Sequence, residues 1–247
     1  MTTLFISDLH LQAAQPPSAP NEGLRGCLQF LDTQAAGCEA LYMLGDLFEA
    51  WIGDDDDEPW LLELAAALQR LVASGTRLYF QHGNRDFLLG ADFAQRCGMQ
   101  LLPEAIVIDL YGRRALLLHG DTLCTADIEY LKFREQVRNP QWQQMILGQS
   151  LQNRRALAGA LRNESRAAGS AKALEIMDVT PDEVARVMAD NGVDLLIHGH
   201  THRPARHSFS SGGRPAERIV LGDWRADGMH YLRAQHDGSL ELLHFSY

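Results

Sequence analysis

Carboxylate, imidazole and amide side chains that could bind a metal ion follow five short apolar runs of this 247-residue chain. Each run is rich in leucine, isoleucine or aromatic residues and ends within a few positions of such a side chain. The candidate ligands are Asp8, His10, Asp46, Asn84, His119, His200 and His202. A donor set without thiolates favours Mn²⁺, Fe²⁺, Co²⁺ or Zn²⁺ over Cu⁺ or an iron–sulfur cluster.

Two pairs of candidate ligands are separated by a single residue. Asp8 and His10 follow the first apolar run, and His200 and His202 follow the last one. Residues two apart on an extended chain point to the same side, so we expect each pair to face one ion from an extended segment. Either pair alone is a common pattern that a turn cap explains equally well.

Asp46 follows Gly45 at the end of the second run, where a glycine lets the chain turn sharply and brings the carboxylate forward. Its two oxygens could bridge two cations, and the amide oxygen of Asn84 suits a hard or borderline divalent ion. Seven ligands exceed one tetrahedral site. They suit two ions about 3.5–4 Å apart, the arrangement that supports in-line displacement at phosphorus. The joint pattern therefore predicts a two-metal phosphohydrolase.

The apolar runs predict the elements that position these ligands, because continuous runs of this length are typical of strands buried on both faces. The predicted strands are centred on residues 4–6, 41–44, 78–80, 115–118 and 195–197. Leucines at helical spacing predict a helix over 60–73, and Thr180 followed by Pro181 predicts the start of another over 182–189. Alternating strands and helices indicate an α/β fold, in which ligands collect beyond the carboxyl ends of the strands.

Three stretches differ from this alternation. Residues 203–247 carry Gly-Gly and Asp-Gly turns between short apolar segments, which predicts hairpins that complete a second sheet. Residues 129–172 show no strand pattern and contain eight basic and three acidic residues, a net +5 within a chain of net charge −10. We interpret them as a basic helical insertion. The acidic run 54–58 is interpreted as a solvated loop.

Composition argues against several classes of protein. Apolar residues make up 46% of the chain, enough for a sizeable core in one domain. The 32 acidic residues outnumber the 22 basic ones, which disfavours non-specific nucleic-acid binding. The four cysteines form no C-x-x-C pair, so we expect free thiols in a reducing compartment. We expect neither a membrane span nor a secretory signal, because no apolar run is long enough and the first residues lack a basic region.

The ordered set D-x-H, G-D, G-N, H-G-D and G-H-x-H resembles the calcineurin-like metallophosphoesterases. Longer motifs at 44–54, 82–87, 119–124 and 197–204 are similar to those of the UDP-2,3-diacylglucosamine diphosphatases, lipid A pathway hydrolases of Gram-negative bacteria. This resemblance extends over nearly the whole chain. It implies a four-layer α/β/β/α sandwich forming a single domain, 1–247, with a helical lid inserted at 126–175.

The resemblance implies two Mn²⁺ ions per chain, although other divalent transition metals suit the same donors. One ion would be held by Asp8, His10, Asp46 and His202. The other would be held by Asp46, Asn84, His119 and His200, with Asp46 shared. Catalytic roles would fall on Asp46, Asn84, Arg85 and His119. Substrate contacts would fall on Asn84, Arg85, Asp127, Ser165, Gly169, Lys172 and His200.

Two positions depart from what relatives carry. Gly169 stands where relatives usually have a polar side chain, and a glycine offers only its backbone there. Many members of the superfamily have a histidine, often assigned as the general acid, where this chain has Arg85. Arginine does not readily release a proton, but its planar fork suits phosphate oxygens. The leaving group that the resemblance implies is a phosphate, which departs readily, so a general acid is dispensable.

The implied activity is hydrolysis of the pyrophosphate bond of UDP-2,3-diacylglucosamine by attack at the α-phosphorus, giving UMP and 2,3-diacylglucosamine 1-phosphate (lipid X). The basic lid would supply cations to the pyrophosphate. Its apolar residues could line an acyl groove or simply pack against the body. They are Trp142, Met145, Ile146, Leu151, Leu157 and Leu161.

Basic amphipathic helices could also rest on an anionic bilayer. We therefore expect a cytoplasmic monomer, peripherally bound to the inner membrane, that binds no nucleic acid. Two alternatives remain open. One is a nucleotide or cyclic-nucleotide phosphodiesterase of the same superfamily, which needs no apolar groove. The other is a non-catalytic, metal-stabilised scaffold for a protein partner.

Overall fold

The computed structural model describes residues 2–16, 18–171, 178–225 and 228–247, with only the helical backbone described for 166–171. Two mixed β-sheets lie face to face. The first contains parallel strands β1 (Thr2–Ile6), β2 (Ala40–Leu44), β3 (Arg77–Gln81) and β4 (Gln100–Leu101). It is completed by β10 (Trp224–Arg225), β11 (Gly228–Gln235) and β12 (Leu240–Phe245), with β11 antiparallel to β1, β10 and β12.

The second sheet has the order β5-β6-β7-β9-β8. Its strands are β5 (Ala105–Leu110), β6 (Arg113–Leu118), β7 (Leu195–His198), β8 (Ala205–Ser211) and β9 (Arg214–Val220). Strands β6, β7 and β9 run parallel, whereas β5 and β8 form antiparallel edges. The five predicted strands are therefore confirmed as β1, β2, β3, β6 and β7. The predicted hairpins at 203–247 are present, but they are divided between both sheets.

Three apolar clusters define four layers. In β1, Leu4 and Ile6 pack toward helices, whereas Phe5 points between the two sheets, as the period-two geometry of a strand requires. Helices α1 (Glu22–Thr33), α2 (Pro59–Ala73) and α3 (Ala91–Cys97) cover the outer face of the first sheet. Helix α7 (Pro181–Asn191) covers the second sheet through Val184 and Met188. The predicted α/β/β/α sandwich is confirmed.

Three helices follow β6 and form what we call the lid. They are α4 (Ile128–Val137), α5 (Pro140–Leu147) and α6 (Leu151–Ala171). The side chains of Asp127 and Asn139 accept hydrogen bonds from the first backbone amides of α4 and α5, which fixes where these helices begin. The helical content predicted for this stretch is thus present in the described residues. The exact bounds of the inserted segment stay a prediction.

Candidate metal centre and active-site cavity

The predicted metal ligands lie in loops that follow five parallel strands. Asp8 and His10 follow β1, Asp46 follows β2, Asn84 follows β3, His119 follows β6, and His200 and His202 follow β7. Ligand atoms of Asp8, His10 and His202 all lie within 4.8 Å of one another, and so do those of Asp8, Asp46 and His119. The sandwich therefore brings the carboxyl ends of both sheets to one place.

Five of these ligands have a left-handed backbone. This differs from the extended segments that were expected for the Asp8–His10 and His200–His202 pairs. The φ angles are 56° at Asp8, 51° at His10, 53° at Asp46, 69° at His200 and 55° at His202. In the described part of the chain, Tyr111 is the only other non-glycine residue with positive φ. Such conformations are disfavoured for residues with a Cβ and concentrate at functional sites. The loops turn sharply because the donors must point inward.

Two glycines let the ligand loops approach closely. A Cβ on Gly45, whose φ is +86°, would lie 2.6 Å from both the Gly83 Cα and the His119 Nδ1. A Cβ on Gly83 would lie 2.1 Å from an Asp46 carboxylate oxygen. A side chain at either position would therefore collide with a ligand or its loop. The left-handed backbone of Gly45 gives the sharp turn that was predicted, whereas Gly83 allows only the close approach.

Donor atoms from different loops face one another. The Asn84 Oδ1 lies 2.9 Å from both the His119 Nε2 and the His200 Nδ1. The Asp8 Oδ1 is buried without an ordinary hydrogen bond, and the His202 Nε2 lies 3.4 Å from it. Nitrogen and oxygen donors thus converge around a buried carboxylate oxygen that has no ordinary hydrogen bond. This arrangement fits a centre for divalent cations. Asp8 belongs to both ligand triplets, and the bridging role of Asp46 stays a prediction.

The cluster is electrostatically costly without a cation. Burial raises the pKa of Asp46 to about 6, because nearby imidazoles do not offset the lost solvation and the Asp86 and Asp8 charges add to it. Burial opposes ionisation of Asp8 as well, but the contact with His202 and the surrounding histidine charges hold the pKa of that carboxyl well below its usual range. A bound divalent cation would relieve this crowding of acidic groups.

Carboxylates and carbonyls behind the ligands orient the imidazole rings. The His10 Nδ1 lies 3.1 Å from a Glu49 oxygen, and the His202 Nδ1 lies 3.4 Å from an Asp223 oxygen. The His119 Nδ1 lies 2.8 Å from the Leu44 carbonyl oxygen, so it is the donor of that hydrogen bond when the ring is neutral. Such partners leave the opposite ring nitrogen free for a metal.

Sequence reasoning missed most of these supporting residues. Asp86 is fully buried and accepts hydrogen bonds from the Leu47 and Gly83 amides at 2.7 and 2.8 Å, which joins two ligand loops. Glu49 and Asp86 stood inside the recognised motifs, yet nothing in their spacing showed what they contact. The Gly-Asp pair at 222–223 after an apolar run was the one available signal for Asp223.

Tyr130 and Arg134 connect the lid to the end of β6. The Tyr130 hydroxyl donates to an Asp121 oxygen at 2.5 Å, and the Arg134 Nε donates to the same oxygen at 2.8 Å. Burial disfavours ionisation of Asp121, but the charges of His119 and Arg134 outweigh it and hold the pKa of that carboxyl far below its usual range. Asp121 therefore anchors α4 beside the metal ligands.

A cavity of about 670 Å³ opens between the lid and the ligand cluster. Its polar end includes His200 and His202, and its remaining wall is mainly apolar. The apolar residues include Trp51, Phe87, Leu88, Phe133, Trp142, Ile146, Leu157 and Leu161. Four of the six apolar lid residues singled out from the sequence thus line it. Met145 is 58% exposed and, like Leu151, lies outside the lining.

Among the described lid residues, four arginines contact the body of the protein, namely Arg134, Arg138, Arg154 and Arg155. Arg154 and Arg162 also line the cavity, and the supply of lid cations to the pyrophosphate stays a prediction. Arg154 is buried and forms ion pairs with both oxygens of Asp55, and Arg155 contacts Asp56 and Asp57 at 2.6 Å. The run 54–58 is a loop with the Asp55 and Asp57 side chains 62% and 73% exposed, as predicted, but it also pairs with the lid. Its first residue, Asp54, accepts hydrogen bonds from the backbone amides that open α3. Long-range ion pairs of this kind leave no trace in local sequence.

The predicted substrate contacts are only partly described. Asn84, Arg85, Asp127, Ser165 and His200 all line the cavity, so the fold does bring them together. Of Gly169 only the helical backbone is described, and Lys172 lies outside the described residues. The four cysteines are buried as thiols, as expected from the sequence, and none of them forms a disulfide. Among described helices, none is both long and apolar enough to cross a bilayer.

Comparison with known proteins places the chain in a family. The model for calcineurin-like phosphoesterases matches residues 1–204. A UDP-2,3-diacylglucosamine hydrolase of Cellvibrio japonicus is 58% identical over 92% of this chain and 93% of its own length. Proteins of the same name from Marinobacter nauticus and Chromohalobacter salexigens are 51% and 49% identical over 99% and 100% of this chain, and 98% of each relative.

Among solved structures, the E. coli phosphoesterase Yfce aligns over 98% of both chains at 15% identity, with a TM-score of 0.45. That likeness is too weak to add to the assignment. The sequence relatives and the family model confirm the resemblance on their own. This chain is a hydrolase of the calcineurin-like phosphoesterase family, and within that family it belongs to the UDP-2,3-diacylglucosamine hydrolases.

Proposed function

We propose that this chain hydrolyses the pyrophosphate bond of UDP-2,3-diacylglucosamine, giving UMP and 2,3-diacylglucosamine 1-phosphate in lipid A biosynthesis. The observation that carries the proposal is the cavity, because a cluster of metal ligands closes one end and apolar side chains line the rest. The diphosphate of the substrate would lie at the end with the metal ligands, and the acyl chains would lie along the apolar wall. The names of the relatives supply the same substrate.

The cofactor we propose is a pair of Mn²⁺ ions. The seven ligands would divide into two groups, one for each ion, with Asp46 shared between them. When bound, divalent cations lower the pKa of water and stabilise charge on phosphoryl oxygens. The chain's own residues hold and orient the phosphates. Arg85 lines the cavity from the loop that also carries Asn84. Its fork suits two phosphoryl oxygens at once, which stabilises charge that develops during displacement.

The sugar and its acyl chains would be held by the lid. Asp127 and Ser165 line the cavity from the two ends of the lid and offer hydrogen-bond acceptors for hydroxyl groups. Trp142 and Leu157 belong to the apolar wall that would receive acyl chains. Burial of apolar surface contributes about 25 cal/mol per Å², so chain length should affect KM strongly.

The activity can be tested by competing substrates. The Mn²⁺-loaded protein should hydrolyse UDP-2,3-diacylglucosamine at least about 10²-fold faster than UDP-glucose or cyclic AMP, because only the lipid substrate uses the apolar wall. A Leu157→Asn variant should raise KM for the diacyl substrate. Equal rates on cyclic AMP would support the phosphodiesterase alternative. A chain that binds Mn²⁺ and hydrolyses none of the three would support the scaffold alternative.

The position of attack needs a separate experiment. Hydrolysis in ¹⁸O-water followed by mass spectrometry should place the label in UMP, because attack at the α-phosphorus adds water oxygen there. Label in the lipid phosphate would show attack at the other phosphorus. Arg85 replaces the general acid of other superfamily members, and a phosphate leaving group makes such an acid dispensable.

We also propose that the protein acts as a monomer on the cytoplasmic face of the inner membrane. Ile128 and Met145 of the lid are 60% and 58% exposed, which suits contact with a bilayer that presents a two-chain lipid. Replacing both with serine should reduce sedimentation with anionic vesicles. Leu62, 63% exposed but outside the lid, is the control position for the same substitution. Equal loss from Leu62→Ser would refute a specific role of the lid.

A further inference from the structure

The carboxylate of Glu49 lies between the metal-ligand cluster and the lid. Its Oε2 is 3.1 Å from the His10 Nδ1. Its Oε1 is 2.6 Å from the Arg162 Nε of helix α6 and 3.9 Å from Arg85 Nη1. The side chain is only 11% exposed, so these contacts are largely shielded from solvent. The two oxygens of one carboxylate thus face two different kinds of partner.

The first oxygen faces a metal ligand from behind. The opposite nitrogen of the same ring, the His10 Nε2, is 3.1 Å from the His202 Nε2 and 4.0 Å from the Asp8 carboxylate. A carboxylate on one ring nitrogen fixes the ring's orientation and leaves the other nitrogen for a cation. The backbone makes this arrangement rigid, because the Glu49 amide donates to the Leu11 carbonyl at 2.9 Å.

The second oxygen faces two cations that line the cavity. Arg85 and Arg162 are 25% and 20% exposed at their side chains and come from the body and the lid respectively. Two guanidinium groups repel each other unless a counter-charge lies between them. Glu49 supplies that charge. A guanidinium held by one carboxylate oxygen keeps further N–H groups available for phosphate oxygens.

We propose that Glu49 is a positioning residue with two separable tasks. Through Oε2 it orients His10 for cation binding, and through Oε1 it holds Arg162 and Arg85 beside the phosphate groups of the substrate. Helix α6 thereby contributes to phosphate binding through Arg162, whereas Arg155, which does not line the cavity, fastens the helix to the body. The inference rests on the proposed function for its second task, whereas its first task concerns metal binding alone.

Three variants separate the two tasks. Glu49→Ala should weaken Mn²⁺ binding by about 10–100-fold in calorimetric titration, the usual effect of removing such a supporting group. It should also raise KM at saturating Mn²⁺. Glu49→Gln keeps one oxygen for His10 but loses the charge, so Mn²⁺ affinity should recover relative to alanine while KM stays raised. Arg162→Met should raise KM by about tenfold, the effect of losing one charge-assisted contact, and leave Mn²⁺ affinity unchanged.

The matched control is Arg155→Met. Arg155 also fastens α6 to the body, through Asp56 and Asp57, but it does not line the cavity or contact Glu49. It should change neither Mn²⁺ affinity nor KM. Wild-type Mn²⁺ affinity in Glu49→Ala would overturn the first task, and equal KM effects of Arg155→Met and Arg162→Met would overturn the second. Failure of the wild type to hydrolyse UDP-2,3-diacylglucosamine would instead refute the proposed function, with the Mn²⁺ titrations still deciding the first task.

Discussion

The imidazoles of His10 and His202 meet with their Nε2 atoms 3.1 Å apart, although the two residues are 192 positions apart in the chain. Each ring has a carboxylate at its other nitrogen, Glu49 for His10 and Asp223 for His202. The two rings are therefore oriented from behind and point their free nitrogens toward the same buried carboxylate, Asp8. This arrangement decides how the centre responds to mutation and to pH.

Replacement of Asp46 by asparagine should separate activity from stability. Loss of this carboxylate should reduce turnover by at least about 10³-fold and lower the bound Mn²⁺, because a charged ligand is lost. The metal-free variant should nevertheless have a higher melting temperature than the metal-free wild type at pH 8. The sign follows from the pKa of Asp46, about 6 when folded, since ionising a buried carboxyl costs stability as pH rises from about 4 to 6.

Calorimetry and elemental analysis measure both halves of this prediction. The far-ultraviolet circular dichroism of the variant should match the wild type, which shows that the fold survives. Full turnover by the asparagine variant would rule out Asp46 as a metal ligand.

Mn²⁺ binding should strengthen with pH up to about 9. Burial pulls the pKa of His10 down, but its hydrogen bond to Glu49 and the charges of Asp46 and Asp8 outweigh this and raise it to about 9. A cation must displace that proton, so affinity should rise by up to about tenfold per pH unit between 7 and 9. Titrations at several pH values measure the slope, which should be shallower in His10→Gln.

The same proton stabilises the metal-free fold. Because the folded pKa of His10 lies above its unfolded value, its contribution is fully present below about pH 6.5 and is lost as pH rises through about 9. Thermal melts of metal-free protein should therefore show a decline across this window that is smaller in His10→Gln. An identical decline in both proteins would assign the effect to other groups.

Arg85→Ala should lower kcat by about 10²–10³-fold, the range for losing one donor that acts in the transition state. Its guanidinium lines the cavity, whereas its backbone amide donates to Asp46 at 2.8 Å and survives the substitution. Mn²⁺ affinity should therefore stay close to wild type. Steady-state kinetics with UDP-2,3-diacylglucosamine make the measurement, and an unchanged kcat would remove Arg85 from the reaction.

Arg154→Ala should loosen the lid. The Arg154 guanidinium is buried and donates to the Ile52 carbonyl oxygen at 2.6 Å as well as to Asp55. Truncation leaves that carbonyl unsatisfied, which should destabilise the protein by about 1–3 kcal/mol. Hydrogen exchange in α5 and α6 should accelerate. Arg155→Ala, at an exposed ion pair, should cost at most about 1 kcal/mol, so equal effects would contradict the distinction drawn from burial.

The identity of the metal ligands and the positions of five strands followed from the sequence. Apolar runs that end in Asp8, Asp46 or His119 predicted both the strands and the ligands, because burial on both faces leaves a local pattern. The carboxyl ends of parallel strands meet at one edge, so convergence of the ligands also followed. The helical insertion was inferred from its positive charge and the absence of a strand pattern, and its role as a lid from the family resemblance. Four of its apolar residues do line the cavity.

Only the tertiary structure decided the backbone of the ligands and the partners of the charged residues. Asp8 and His10 adopt left-handed φ angles because the opposing loops require their donors to turn inward, which no pattern of residue types reveals. Arg154, which lines the cavity, pairs with Asp55, 99 positions away. Such pairs depend on which surfaces the fold brings together, since charge alone does not specify a partner. The link from Glu49 to both a metal ligand and the lid arises in the same way.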